Sequence, residues 1–289
     1  MSLWLWQSSR WPQLRYDSAA VLPALSCARR IQGRLLGKAD ALGDLGQLPA
    51  EQRVWTEEAL ATSAIEGEML DPAAVRSSIA RRLGLDSPVV GASHAAEGLL
   101  DVMQDAAERW NEPLTQERLR TWQAALFPTG QSGLRKILTG AYRSGLEPMQ
   151  IVSGPPGKEV VHFEAVPGPA VRAEMHAFLS WLNTSAQDGA EEGLVRAALA
   201  HLWFETIHPF DDGNGRVGRA LVDRALAQDS RRAWRMHGLA SRLRKERAAY
   251  YDALNHAQRG DTDVTVWVVW FLGAFERACA DSRTIVDAA

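Results

Sequence analysis

The chain has 289 residues, 46% of them hydrophobic, enough to build one large core or two modest ones. Its formal net charge of −3 gives nucleic acid or an anionic membrane no whole-chain attraction, and no apolar run approaches the ~18 residues of a membrane span. Its two cysteines, Cys27 and Cys279, make neither a ligand spacing nor a disulfide framework, and the N-terminus lacks the basic-then-apolar order of a signal peptide, so a reducing cytoplasmic setting is expected.

Residues 1–17 carry Trp4, Trp6 and Trp11 ahead of the first helical pattern. Three indoles left in water would be costly, so this arm is expected to fold back and pack on the body, with a target or dimer contact as the alternative. Residues 17–42 are helical by period and 45–49 read as a break. Residues 51–66 read as a second helix ended by Gly67, a favoured residue just past a helix end. Thr62 and Glu66 lie one turn apart on one face of it and can address the same partner. Residues 71–85, 94–111 and 115–127 read as further helices, with Pro72 suited to a first turn and Arg76, Arg81 and Arg82 on a solvated face. Residues 86–92 form a turn.

The character changes between residues 133 and 167, where Gly and Pro are frequent. Residues 150–152 and 159–163 read as two short strands about Ser153-Gly154-Pro155-Pro156-Gly157. A hairpin in an otherwise helical chain has an edge that can recruit another chain's backbone. Tyr142 and Arg143 precede it and are expected to line the site. Residues 169–183 read as a helix, 183–192 as a polar loop, and 194–207 (LVRAALAHLWFETI) as a buried helix without interior Gly or Pro. Pro209 pushes His208 out of the α region, so that helix should end there. Helical period resumes after Gly215, with Val217, Leu221, Val222, Ala225 and Leu226 on one side. The basic run between 230 and 247 reads as a solvated face. Residues 264–279, with Trp267, Trp270 and Phe271, read as a closing core helix.

Between the two central helices lies the run 208–219, HPFDDGNGRVGR. Glycines let backbone N–H groups approach an oxyanion, and a helix N-terminus adds a favourable dipole, so Gly213, Asn214 and Gly215 form a phosphate cradle. Arg216 and Arg219, three residues apart, supply planar cationic forks. Asp212 or Asp211 beside phosphate oxygens could hold a Mg²⁺ ion that keeps most of its waters. His208 fits a general base, since an imidazole can take a proton from an attacking hydroxyl. Base, metal carboxylate and anion hole in one loop make a site for phosphoryl or nucleotidyl transfer.

The run resembles the signature of the Fic (filamentation induced by cAMP) proteins, HxFx[D/E]GNGRxxR, at every specified position. The resemblance implies an all-α fold, a helical bundle with a small β-hairpin flap beside the active-site loop, and transfer of AMP from ATP to a hydroxyl of a target protein. By position, His208 would deprotonate a Ser, Thr or Tyr of the target, Asp212 would hold Mg²⁺, Gly213 to Gly215 would bind the α- and β-phosphates, and Arg219 the γ-phosphate. Thr62-Ser63-Ala64-Ile65-Glu66-Gly67 resembles the family's inhibitory motif [S/T]xxxE[G/N]. Glu66 would then pair with Arg219 and occupy the fork meant for the γ-phosphate, leaving ATP only a pose with its α-phosphate turned away from attack. Lying upstream, the motif implies a class with its inhibitory helix N-terminal to the core. Ile151, Val152 and Ser153 match the docking strand of the flap, and Tyr251 and Gln258 the adenine and ribose contacts, where Asn is commoner than Gln. The Trp-rich opening is similar to an N-terminal extension of one Fic subgroup. The expected layout is residues 1–50 as arm and first helix, 51–110 as inhibitory and adjoining helices, and 111–289 as the core, with its flap at about 140–166.

The same loop could instead remove AMP, with Glu66 positioning a water, or transfer UMP, GMP or phosphocholine. Two other classes compete with it. A metal-dependent hydrolase would use His201, His208, Asp211 and Asp212, but Pro209 breaks the helix where a common face is needed, and His201 is better read as a packed helix histidine. An interaction module built on the tryptophans would not require base, carboxylate and forked cations together. A homodimer is compatible with the tryptophans and the inhibitory helix, and the target's identity leaves no trace in the sequence.

Overall fold

The computed structural model describes residues 4–153, 158, 160–189, 191–233 and 236–288. Among them eleven α-helices and two antiparallel strand pairs make an all-α fold carrying a small hairpin, as the sequence leads one to expect. No helix is long and apolar enough to cross a membrane.

The molecule is assembled around one buried helix. α7 (Gly193–Ile207) starts where the Glu192 carboxylate accepts the amides of Leu194 and Val195, and every residue from Leu194 to Ile207 is buried. α8 (Asn214–Ser230) packs against it. Two apolar clusters meet at this pair. The first takes in α1 (Ser18–Ala41), one face of α2 (Gly43–Ile65) through Ala50, Val54 and Ile65, α9 (Leu239–Lys245), α10 (Arg247–Ala257) and α11 (Thr265–Asp287). The second takes in Trp55 and Ala59 of α2, α3 (Pro72–Arg82), α4 (His94–Glu108), α5 (Gln116–Leu126) and α6 (Val171–Asp188). The loop joining α7 to α8 is thereby gripped from both sides.

The boundaries differ from expectation in places. α2 runs from Gly43 without the break expected at 45–49. Pro49 removes only one amide from the helix ladder, and burial of Ala50 and Val54 carries the helix through it. α6 reaches Asp188, taking in part of the expected polar loop, and α11 reaches Asp287 rather than 279. The basic run conceals α9, whose first amides, Ala240 and Ser241, are each held 2.7 Å from the buried Glu58 carboxylate. A second small pair, β1 (Gln131–Ser132) with β2 (Arg135–Lys136), has no counterpart in the sequence reading.

β3 (Gln150–Ser153) and β4 (Val160–Glu164) form the expected hairpin, in register Ile151 to Phe163 and Val152 to Val161 with an irregularity between. The expected turn at 154–157 and the strand start at Glu159 lie outside the described residues. The N-terminal arm lies along the β4 side. Trp4 packs edge-on against Phe163 at 5.5 Å, the Trp6 indole donates to the Glu164 carbonyl at 2.8 Å, and Arg259, stacked under Trp4, donates to the His162 carbonyl at 3.0 Å. Trp11 bonds Glu174 at 2.8 Å and meets Trp203 edge-on. The arm therefore packs inward, and β3 remains an edge paired with no other strand among the described residues.

Candidate active site

His208 ends α7 in the left-handed region, with φ 50° and ψ 61°, as Pro209 requires a departure from helix there. Arg143 pins this corner. Its guanidinium donates to the carbonyls of His208 (2.7 Å), Ile207 (2.9 Å) and Val166, and its own amide bonds the Pro209 carbonyl at 2.9 Å. Burial pulls the Arg143 pKa down to about 10. It thus supports the loop from behind instead of lining the cavity. Tyr142 is packed on Phe210, its centroid 5.3 Å away.

The loop closes on itself through Asn214. The side-chain carbonyl of Asn214 accepts the Phe210 amide at 2.9 Å, and its NH₂ returns a bond to the Phe210 carbonyl at 2.8 Å. Expected in the phosphate cradle, this side chain is committed to the turn, leaving the backbone for any ligand. Gly213 takes φ +86° and lies so close to Phe127 that a Cβ would come within 2.8 Å of the ring. α8 begins immediately after it.

A cavity of about 550 Å³ opens beside this loop, and His208, Gly215, Arg219, Glu66, Tyr251 and Gln258 all line it, with Ile151 of β3 at its rim. Residues 66, 208–219 and 251–258, far apart in the chain, are brought to one place. At Gly215 a Cβ would stand 2.3 Å from a Glu66 carboxylate oxygen, so only glycine admits that approach. Arg219 is almost fully buried. It donates to the Glu66 carboxylate at 2.6 Å, to the Thr62 hydroxyl at 2.6 Å and to the Thr62 carbonyl at 3.0 Å. Burial works against its charge, but the facing Glu66 carboxylate outweighs this and raises its pKa. Gly67 follows with φ +81° at the end of α2. Burial, then the Glu66 charge, raises the pKa of Tyr251, over whose ring Arg247 stacks at 5.4 Å.

Three expected residues stand apart from the cavity. Arg216 turns away to bond Glu68 at 2.7 Å and to stack on Phe127 at 4.7 Å, which corrects its expected place beside Arg219. Asp212 faces β1, accepting the Ser132 hydroxyl at 2.5 Å and the Gly213 amide at 2.6 Å. Asp211 accepts the Leu138 amide at 3.0 Å. His201 is packed, as expected of a helix histidine, bonding the Tyr250 hydroxyl at 2.8 Å and stacked near Trp267. No group of three or more His, Cys, Asp or Glu converges among the described residues.

A residue that sequence reasoning passed over also lines the cavity. Glu205 is a buried carboxylate inside an otherwise apolar helix, and its oxygen lies 3.6 Å from His208 Nδ1. Its signal was there: a Glu in a fully buried helix calls for a partner. A wider groove of about 720 Å³ runs over Asp105, Arg109, Arg118 and Trp122. Its charges already pair with one another, Arg118 to Asp105 at 2.7 Å and Arg109 to Glu112 at 2.5 Å, and it offers no comparable chemistry.

Residues 113–226 match the Fic/DOC family, and residues 4–85 match a domain of unknown function (DUF4172). A protein adenylyltransferase Fic from Culex quinquefasciatus is 27% identical over 237 residues, 79% of this chain and 43% of its own length. A probable protein adenylyltransferase from Aquifex aeolicus is 32% identical over 98 residues, 34% of this chain and 27% of its own. The chain thus spans less than half the length of these relatives. The crystal structure of a Fic family protein from Desulfovibrio desulfuricans superimposes with a TM-score of 0.69 at 25% identity, covering 93% of this chain and 75% of that one.

Proposed function

We propose that this chain, which matches the Fic/DOC family over residues 113–226, is a protein adenylyltransferase of that family, moving AMP from ATP to a Ser, Thr or Tyr hydroxyl of a target protein. One juxtaposition carries the reading: an imidazole, the N-terminus of α8 and an arginine whose anion-binding fork is already held by Glu66 wall a single cavity. In this reading the α- and β-phosphates lie over the Gly213–Gly215 turn, the γ-phosphate takes Arg219, and the nucleoside sits by Tyr251 and Gln258. His208 accepts the proton of the target hydroxyl as its oxygen attacks the α-phosphorus. The bond from that phosphorus to the β-phosphate oxygen breaks, and pyrophosphate leaves.

Asp212 suits a Mg²⁺ ion, since one carboxylate supported by Ser132 and the Gly213 amide matches an ion that keeps its waters and takes its other oxygens from phosphate. When bound, the ion would offset phosphate charge. Thr62 and Glu66 act as a brake by filling the Arg219 fork. The free β3 edge, Ile151 to Ser153, aligns the target by strand addition. The two free cysteines agree with a cytoplasmic setting. Because Glu66 lines the cavity with His208, the reverse task is the second reading. A water held by Glu66 would attack the phosphorus of an AMP-modified hydroxyl, releasing AMP and restoring the hydroxyl.

The Glu66→Gly protein, supplied with Mg²⁺, cell lysate and ATP labelled at either the α- or the γ-phosphate, tests this. Label should stay on a protein band from the α-position only. Retention from the γ-position would mean phosphoryl transfer, and no label from either would remove the transferase reading.

A further inference from the structure

Glu205 stands one turn before His208 on α7, and its place is costly enough to need a reason. Its side chain is 6% exposed and that of His208 13%. Neither His208 Nδ1 nor Glu205 Oε1 has any hydrogen-bond partner. An isolated buried carboxylate would be expected to take up a proton to shed its charge. Here burial does push the Glu205 pKa up, but His208, His201 and Arg219 together outweigh it and hold the carboxyl below its usual range. The fold also makes room for it: a Cβ at position 218 would lie 2.4 Å from Glu205 Oε1, so α8 presents Gly218 there. At 3.6 Å, Oε2 and Nδ1 are within ion-pair range and a few tenths of an ångström beyond a hydrogen bond, as catalytic pairs often are before substrate binds.

We propose that Glu205 is a positioning residue for His208: its carboxylate accepts the Nδ1–H, leaving Nε2 unprotonated toward the cavity to receive the target's proton. The inference rests on the transferase reading above. Once Nε2 has taken the proton, the imidazolium forms beside an anion already in place, which favours the charge that develops in the reaction. Around the pair stand His201 on the same helix, Arg219 of α8, Glu66 just past the end of α2, Arg247, Tyr250, Tyr251 and Asp252 of α10, and His162 of β4. Of these, Glu66 and Asp252 are the other anions, and Asp252 is exposed. The test is therefore run with Glu66→Gly as the reference, so that Glu205 is the one buried carboxylate lining the cavity among the described residues.

Glu205→Gln in that background keeps the shape and removes the charge. Transfer should fall about tenfold or more in kcat, with KM for ATP within about twofold. Because a neighbouring carboxylate favours protonated imidazole, its loss should also move the acid limb of the kcat/KM profile to lower pH. Nitrogen-detected NMR of the histidine rings reads the tautomer without reference to activity: His208 should be Nδ1–H in the reference protein and lose that preference in Glu205→Gln. A slower variant whose acid limb and His208 tautomer are both unchanged would assign Glu205 a merely structural part and overturn the proposal. An Nε2–H tautomer in the reference protein would overturn it as well. If the reference protein transfers nothing, the transferase reading fails, while the tautomer still decides whether Glu205 orients His208.

Discussion

Arg219 keeps its charge in a place almost closed to water because Glu66 and Thr62 satisfy its guanidinium. In the proposed reading an anionic phosphate takes over that role, so the buried ion pair would hold the place of a ligand as well as support the fold. A buried neutral imidazole makes the pH dependence of stability testable. His237 lies against Phe275 with its Nε2 unpartnered, and burial pulls its pKa from 6.5 to about 4. The folded value is below the free one, so the unfolded chain binds the proton first. Stability is then full above about pH 6.5 and falls as pH drops toward about 4, by roughly 3 kcal/mol from this group at ~1.4 kcal/mol per pH unit. Urea unfolding at pH 7 and pH 4.5 should show a smaller loss for His237→Phe than for wild type, the remainder coming partly from His201, whose pKa burial also lowers. Equal losses in both proteins would count against it. That His208, Gly215 and Arg219 share one cavity was legible because imidazole, turn and arginine follow one another in the chain. Arg143 was expected to line the cavity and instead supports the loop from behind, and the buried position of Glu205 marked it without naming its partner, since both sets of contacts are made only on folding. Arg216 misled for a geometric reason. Three residues advance a helix by about 300°, which leaves it ~60° from Arg219 and places it on Glu68 and Phe127.

At the scale of elements, the N-terminal arm joins two walls of the site. Leu5 donates to the Gln258 carbonyl at 2.9 Å, while Trp4 and Trp6 hold β4 through Phe163 and the Glu164 carbonyl. This occupies the β4 side of the hairpin and leaves β3 as its open edge, with Ile151 and Val152 exposed. Trp4→Ala should weaken that hold by about 0.5–1.5 kcal/mol, the range of an edge-on aromatic pair. Hydrogen exchange should quicken at β4 amides and at residues near 258, with α4 and α5 unchanged. Unaltered exchange at β4 would show that the arm does not brace the hairpin. Three tryptophans before the first helix gave the sequence reason to expect an arm folded inward, but nothing local told which strand it would meet. Pro49 shows the opposite failure. A strong local breaker was overridden because Ala50 and Val54 are buried against the first cluster.

Over the whole molecule, α7 and α8 are the shared wall of two apolar clusters, and the site occupies the loop between them. That arrangement was largely readable: an apolar helix without breakers, a proline stop, a glycine turn and a second helix specify it in order. The closing of α2 over α8 was readable only through the likeness of residues 62–67 to an inhibitory motif, because Thr62 and Arg219 are 157 positions apart. We propose that this contact is a brake on a working site, and that is the central claim. Its most direct test compares initial rates of label incorporation from α-labelled ATP with Mg²⁺ and lysate for wild type, Glu66→Gly and Glu66→Gly/His208→Ala. Glu66→Gly should exceed wild type by about tenfold or more, and the double variant should fall by 10²–10⁴-fold, roughly the contribution of a general base. Equal labelling by wild type and Glu66→Gly, or label surviving in the double variant, would contradict the account.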